Sequence, residues 1–278
     1  MSQALKARSI RGLAWLLVAA ALAVACGPAR AQTDASEKNW PSLRETLFGT
    51  RPILDGAAML SLEAPVRAED AALVPVAITD LQPGRIKALT LVVDENPAPV
   101  AAVFTLSPEA RVRFLETRLR VNAYSYIRAI AETEDGALYM VKRYVKASGG
   151  CSAPASKNAD EALASLGELR LRQFPATDPA SEEAELQLQI RHPNLTGMQM
   201  DQVTGLYRPA HFVQTIRLSA DGKPLMSVEG AISLSENPSL RFKYRPGGAK
   251  ALAAHVEDTE GKVFEKSWER EGKRDKDS

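Results

Sequence analysis

Residues 118–147, "RLRVNAYSYIRAIAETEDGALYMVKRYVKA", decide the fold class. Leu119, Val121, Ala123, Ser125, Ile127 and Ala129 fall on one side of an extended chain, because successive side chains of a strand point to opposite faces. "EDG" at 134–136 is a turn signal, and a second run follows from Ala137. An Asp-Gly between two such runs marks a β-hairpin, since glycine supplies the positive φ that a tight turn needs.

The same grammar extends in both directions. Upstream, "MLSLEA" puts Leu60, Leu62 and Ala64 on one face, "LVPVAIT" is short and branched, and "IKALTLVVDENPAP" ends in an Asn-Pro turn. Before them "WPSLRETLF" (40–48) predicts a short helix, with Pro41 near its start and Leu43 and Leu47 four apart. Downstream, "LQLQIR" alternates from Leu186, and "HFVQTIRLSADGKPLMSVEG" reads as two strands about a turn. "SLRFKYR" sets Leu240, Phe242 and Tyr244 against Arg241, Lys243 and Arg245, and "ALAAHVEDTEGKVFEKSW" reads as a last hairpin. Short strands at about ten-residue spacing predict an all-β chain of two immunoglobulin-like antiparallel β-sandwich domains. They cover residues 40–152 and 186–268. The linker between them, 153–185, is expected to carry a short helix, because Leu163, Leu166 and Leu169 have helical spacing. Residues 269–278 form a charged tail.

The N-terminus reads as an export signal occupying residues 1–31. Lys6, Arg8 and Arg11 precede the apolar run Gly12–Ala25, and Ala29-x-Ala31 offers a cleavage site before Gln32. A lipoprotein signal ending at Cys26 is a second reading, and a retained anchor a third. Cleavage after Ala31 places the mature chain in the periplasm, with no membrane insertion. The chain has 278 residues and a net charge of +1, so no long-range field draws it to nucleic acid.

Export with cleavage also removes one of the two cysteines and leaves Cys151 alone, in "KASGGCSAPAS" (146–156). A lone thiol in an oxidising compartment implies an intermolecular bond or a reactive group. The neighbours are too small to build a core, so the stretch predicts an exposed thiol on a flexible arm of Ser148, Gly149, Gly150, Ser152 and Ala153. Four or five extended residues give such an arm a reach of roughly 15 Å. Lys146 and Lys157 are the nearest cations in sequence. Catalytic equipment is otherwise sparse. His192, His211 and His255 stand at no metal-ligand spacing and read as packing or edge residues, and there is no phosphate loop and no nucleophile elbow. Neither a catalytic residue, a metal site nor a resident cofactor is expected.

Several motifs carry a resemblance. "GGC" at 149–151, "IRHPNLTGMQMD" (190–201), "RPAHFVQTIRLSADGKPL" (208–225), "SENPSLRFKYR" (235–245) and "EDTEGKVFEKSW" (257–268) are similar to those of the SoxYZ sulfur carriers, fused here in one polypeptide. More closely the chain resembles exported quinoprotein dehydrogenase-associated SoxYZ-like carriers. The resemblance implies a non-catalytic periplasmic carrier with Cys151 as the attachment residue, Gly149 and Gly150 as its hinge, and a covalent cargo instead of a cofactor. It implies periplasmic oxidoreductases as partners, among them a pyrroloquinoline quinone-dependent dehydrogenase. Two departures stand out. "CSAP" follows the cysteine where the family arm reads Gly-Gly, and the chain continues instead of ending. The rival reading is a scaffold or chaperone for an oxidoreductase, with the cysteine incidental or dimer-forming; a third is an enzyme with Cys151 as nucleophile.

Overall fold

The computed structural model describes residues 37–154, 165–175, 182–201 and 204–270; the expected signal, Cys26 and the charged tail beyond 270 lie outside the described residues. A helix α1 (Trp40–Phe48) precedes fifteen strands. The first half contains β1 (Ile53–Asp55), β2 (Leu60–Glu63), β3 (Val74–Asp80), β4 (Ile86–Val93), β5 (Val100–Leu106), β6 (Phe114–Leu119), β7 (Ser125–Thr133) and β8 (Leu138–Val145). The second contains β9 (Leu169–Phe174), β10 (Ala184–Ile190), β11 (Val213–Ala220), β12 (Lys223–Gly230), β13 (Ser239–Tyr244), β14 (Ala251–Asp258) and β15 (Val263–Glu269). Among the described residues no helix is long and apolar enough to cross a membrane.

The strands form two sheets, ordered β1-β8-β7-β4-β5-β12-β11-β14-β15 and β2-β3-β6-β13-β10-β9. Pairing is antiparallel except for β1 on β8. Each half contributes strands to both sheets, as a sandwich must. The halves then join edge to edge: β5 pairs with β12, setting Phe104 opposite Val228, and β6 pairs with β13, setting Leu115 opposite Phe242. Both sheets therefore run through the whole described body. Joining the halves at these strands covers edges that would otherwise expose unpaired backbone groups.

The alternation read from sequence is realised as burial. Leu186, Leu188 and Ile190 of β10 and Leu240, Phe242 and Tyr244 of β13 all face the core. The expected continuous strand over 118–132 is divided. Arg120–Tyr124 carry the chain from β6 in one sheet to β7 in the other, and Asn96 holds that crossing: its Nδ2 donates to the Arg120 carbonyl at 2.7 Å, and its Oδ1 accepts from Asn122 N–H at 2.8 Å. The linker also differs from expectation. Residues 165–167 are a turn and Leu169–Phe174 are strand β9; 155–164 lie outside the described residues. "LRLRQF" fits a period of two as well as its leucines fit a helix, and pairing with β10, Leu171 opposite Leu188, decides between them.

Helix α1 forms where expected and is clamped to the sheet. Trp40, Val92, Ile130 and Leu138 make a satellite core beneath it. The fully buried Arg128 grips Asp94 through Nε and Nη2 at 2.8 and 2.7 Å, reaches Glu37 at 2.8 Å, and lies 4.0 Å over the Trp40 ring. A buried guanidinium tolerates this position because carboxylates and a π face replace its lost water.

Candidate functional site

After β8 the chain is pinned before it reaches the cysteine. Lys146 N–H donates to the Val66 carbonyl at 2.9 Å, and the Lys146 carbonyl accepts from Ala68 N–H at 3.1 Å. Gly149 then turns with φ +79°, a backbone angle that favours glycine. Its N–H donates to the Asn122 carbonyl at 2.8 Å, and Gly150 N–H donates to the Val121 carbonyl at 3.1 Å. Gly150 needs its missing side chain for a different reason. A Cβ there would lie 2.1 Å from the Ala71 carbonyl oxygen and 2.7 Å from that of Val121. Only glycine lets the two backbones approach so closely.

Cys151 follows at 0% exposure. The expectation of an exposed thiol is therefore corrected. Its small neighbours build no core themselves, but their smallness lets the turn sink onto residues distant in sequence. The Cys151 carbonyl accepts a 2.6 Å hydrogen bond from Thr196 Oγ1, and the Gly150 carbonyl accepts one from Arg120 Nη1 at 3.1 Å. Arg120 belongs to the first half and Thr196 to the second, so both halves build the seat. Of the expected arm residues, Ser148 and Ser152 are exposed, Gly149 and Ala153 are half-buried and Gly150 is buried. Residues 149–152 form one turn, closed by Ser152 N–H on the Gly149 carbonyl at 3.2 Å.

Burial pushes the Cys151 thiol up to about 11, with the positive charge of Arg120 opposing the rise. A neutral thiol is the seated form at neutral pH, and a thiol is a poor nucleophile compared with its thiolate. The cation acting on this sulfur is Arg120, in place of the two lysines picked out by sequence proximity; Lys157 lies outside the described residues.

The loop that supplies Thr196 is anchored from behind. Asn194 Oδ1 accepts from Val213 N–H at 3.1 Å, and Thr196 N–H donates to Gln199 Oε1 at 2.7 Å. His192 begins the loop and meets His211 and Asp258, residues 19 and 66 positions further along the chain, separations that no local spacing reveals. The two imidazoles stack edge to face at 4.6 Å, His211 Nε2 lies 2.7 Å from Asp258 Oδ2, and His192 Nε2 lies 3.5 Å from the same oxygen. Their donor atoms fall within 4.8 Å of one another, close enough to consider a metal. The tautomer argues against one. Asn194 N–H donates to His192 Nδ1 at 3.0 Å, so that nitrogen carries the lone pair and Nε2 carries the proton. A metal on Nε2 would force a second N–H against Asn194. The loop is tied to β14 through His211, which pairs with Leu195 by backbone hydrogen bonds and reaches Asp258 with its ring, while His192 Nε2 packs against them without a hydrogen bond of its own. Burial, and then the neighbouring His211, push His192 down to about 4, against the attraction of Asp258. His255 stays apart and pairs across strands with Glu265 at 2.6 Å.

Residues 44–151 match the family model of the sulfur oxidation protein SoxY, and residues 172–269 match that of the sulphur oxidation protein SoxZ. The two matches span well over half of the chain, and it belongs to the SoxYZ sulfur-carrier family, with both components in one polypeptide. Its role is that of a sulfur carrier that works with partner enzymes, not that of an enzyme. No curated protein matches the chain. Among solved structures, the sulfur carrier protein SoxY from Chlorobium limicola f thiosulfatophilum is 26% identical, covering 40% of this chain and 94% of that one, with a TM-score of 0.35. A β-glucuronidase from Parabacteroides merdae is 9% identical, covering 76% of this chain and 24% of that one, with a TM-score of 0.25. At those TM-scores neither likeness bears on the chemistry of this chain.

Proposed function

We propose that the chain is an exported periplasmic carrier whose cargo is bonded to the sulfur of Cys151, with Ser148–Ala153 as the moving arm. One observation carries this reading. The SoxY match ends on Cys151 itself, and the structure seats that residue on a Gly-Gly turn held by a handful of hydrogen bonds. Two come from the glycine N–H groups, one from Arg120 and one from Thr196. At about 1 kcal/mol net for each, and more for the charged donor, release costs roughly 4–6 kcal/mol. That leaves the thiol hidden most of the time and exposes it in a minor population, which shields it from chance oxidation in the periplasm.

Joining a thiol to a second sulfhydryl releases two electrons and two protons. The loading partner in this reading is therefore an oxidoreductase, and the resemblance stated above favours one associated with a quinoprotein dehydrogenase. The burial of Cys151 also supports a rival reading, a scaffold for such an enzyme whose thiol stays inert. Intact mass of the protein purified from its own periplasm, beside Cys151→Ser, separates them. A reductant-labile mass increment that requires Cys151 supports the carrier and identifies the cargo. A bare thiol, with partner capture unchanged in Cys151→Ser, supports the scaffold.

A further inference from the structure

The Cys151 seat contains two buried donors without acceptors. Arg120 is 1% exposed; its Nη1 and Nη2 meet the carbonyls of Gly150 and Asn194 at 3.1 and 3.5 Å, and its Nε has no partner. Gln199 is 1% exposed; its Oε1 is committed to Thr196 N–H, which leaves its amide nitrogen facing no partner. Both residues attach directly to the seat, Arg120 through Gly150 and Gln199 through Thr196. Arg128, the other fully buried arginine, shows what this charge ordinarily demands: it is held by Asp94 and Glu37. No carboxylate among the described residues lies at ion-pair distance from Arg120; Glu236 and Asp70 act on it only through longer-range attraction. A buried cation with no carboxylate in contact and an idle buried donor each destabilise a fold, and a negatively charged acceptor is what each of them lacks.

We propose that the Cys151 seat is an anion site, in which Arg120 and Gln199 receive the negative charge of the group bonded to the Cys151 sulfur. The inference rests on the carrier reading and adds to it a rule for docking. An anionic load draws the arm back into its seat, whereas a cationic load holds it out. Arg120 is then a positioning residue that couples the charge of the load to the position of the arm.

The test uses the full chain carrying Cys26→Ser, so that Cys151 is the sole thiol. It is tagged through a disulfide with a sulfonatoethyl or a trimethylammonioethyl group, using the corresponding methanethiosulfonates in mild denaturant and then refolding. The thiolate sulfur bonds to the sulfenyl sulfur of the reagent, and methanesulfinate leaves with the bonding pair. The sulfonate adduct is expected to melt several degrees above the ammonium adduct. This gap shrinks at least by half in Arg120→Met and survives in Arg120→Lys, while Gln199→Leu lowers the sulfonate adduct selectively. Equal midpoints for the two adducts of the parent chain overturn the proposal whether or not the arginine variants fold, and so does an unchanged gap in Arg120→Met. Failure of the carrier reading shows separately, as the absence of any adduct on Cys151 in protein taken from cells.

Discussion

Thr196 Oγ1 donates to the Cys151 carbonyl at 2.6 Å across 45 residues of sequence, so the second half of the molecule latches the arm of the first. The same hydroxyl accepts from Met198 N–H at 3.1 Å, which fixes its direction. Thr196→Val keeps the shape and removes the latch. The open arm regains water at the Cys151 carbonyl, while the seated arm leaves it unpaired, so the equilibrium moves toward release. A shift of about 1.4 kcal/mol is tenfold, within the range for one lost hydrogen bond with a buried acceptor. Cys151 in Thr196→Val is expected to react with a chromogenic disulfide about ten times faster than in the parent. An unchanged rate would show that the latch does not hold the arm.

The two glycines of the turn predict different outcomes. Alanine at Gly149 strains a positive φ at a cost of about 1 kcal/mol, yet its nearest non-neighbour atom is the mobile Ser152 Oγ at 3.9 Å. Alanine at Gly150 collides with two backbone carbonyls, of Ala71 and Val121, that cannot turn aside. Gly150→Ala is expected to unseat the arm and bring Cys151 close to the reactivity of a free thiol, with the sheets intact by circular dichroism. Gly149→Ala is expected to raise reactivity only about fivefold. Equal effects at the two positions would contradict the close-packing argument.

Much of this architecture is legible in the sequence because it rests on alternation. Leu186, Leu188 and Ile190, or Leu240, Phe242 and Tyr244, declare both strand and inward face. Strand β5 declares itself less plainly: Ala102, Phe104 and Leu106 keep the period of two, but Ala101 is buried beside them at the centre of the larger sheet, and two of these four are alanines that mark a face only weakly. Leu169 belongs to a segment that satisfies two periods, and only its pairing with β10 settles the matter. Cys151 itself was findable, since a Gly-Gly-Cys in small residues is visible locally. Its burial was not, because the seat is made by Ala71, Arg120, Val121 and Thr196, none within twenty residues of it. The His192–His211–Asp258 junction is hidden for the same reason.

That junction predicts an acid limit. His192 is 1% exposed and held near 4, against an ordinary 6.5, in contact with His211 and Asp258, with Glu260 3.5 Å from the far nitrogen of His211. As pH falls below 6.5 the unfolded chain takes up a proton at this position that the native chain refuses until about 4. Stability is therefore full above 6.5 and declines through that window. His192→Asn keeps an acceptor for Asn194 N–H and does not titrate. Urea midpoints at pH 7.5 and 5.0 are expected to differ less in His192→Asn than in the parent; an equal difference would remove His192 as the cause.

Cys151 sets the opposite limit. The thiol is fully buried and ionises near 11 when seated, against an ordinary 9.0. Between these values the unfolded chain has lost its proton and the native chain has not. The stabilising effect of the buried neutral thiol is complete below pH 9 and disappears as pH rises toward 11. A displacement of this size corresponds to about 2–3 kcal/mol. Tyr244, whose buried hydroxyl is also pushed upward, contributes in the same direction but equally in a Cys151 variant. The pH dependence of the melting temperature from 8.5 to 11 is therefore expected to be shallower in Cys151→Ala than in the parent. The same displacement makes reactivity depend on release, since a thiol that stays neutral in its seat attacks nothing there. If the two proteins lose stability in parallel, Cys151 ionises as freely as an exposed thiol, and the seat does not control its chemistry.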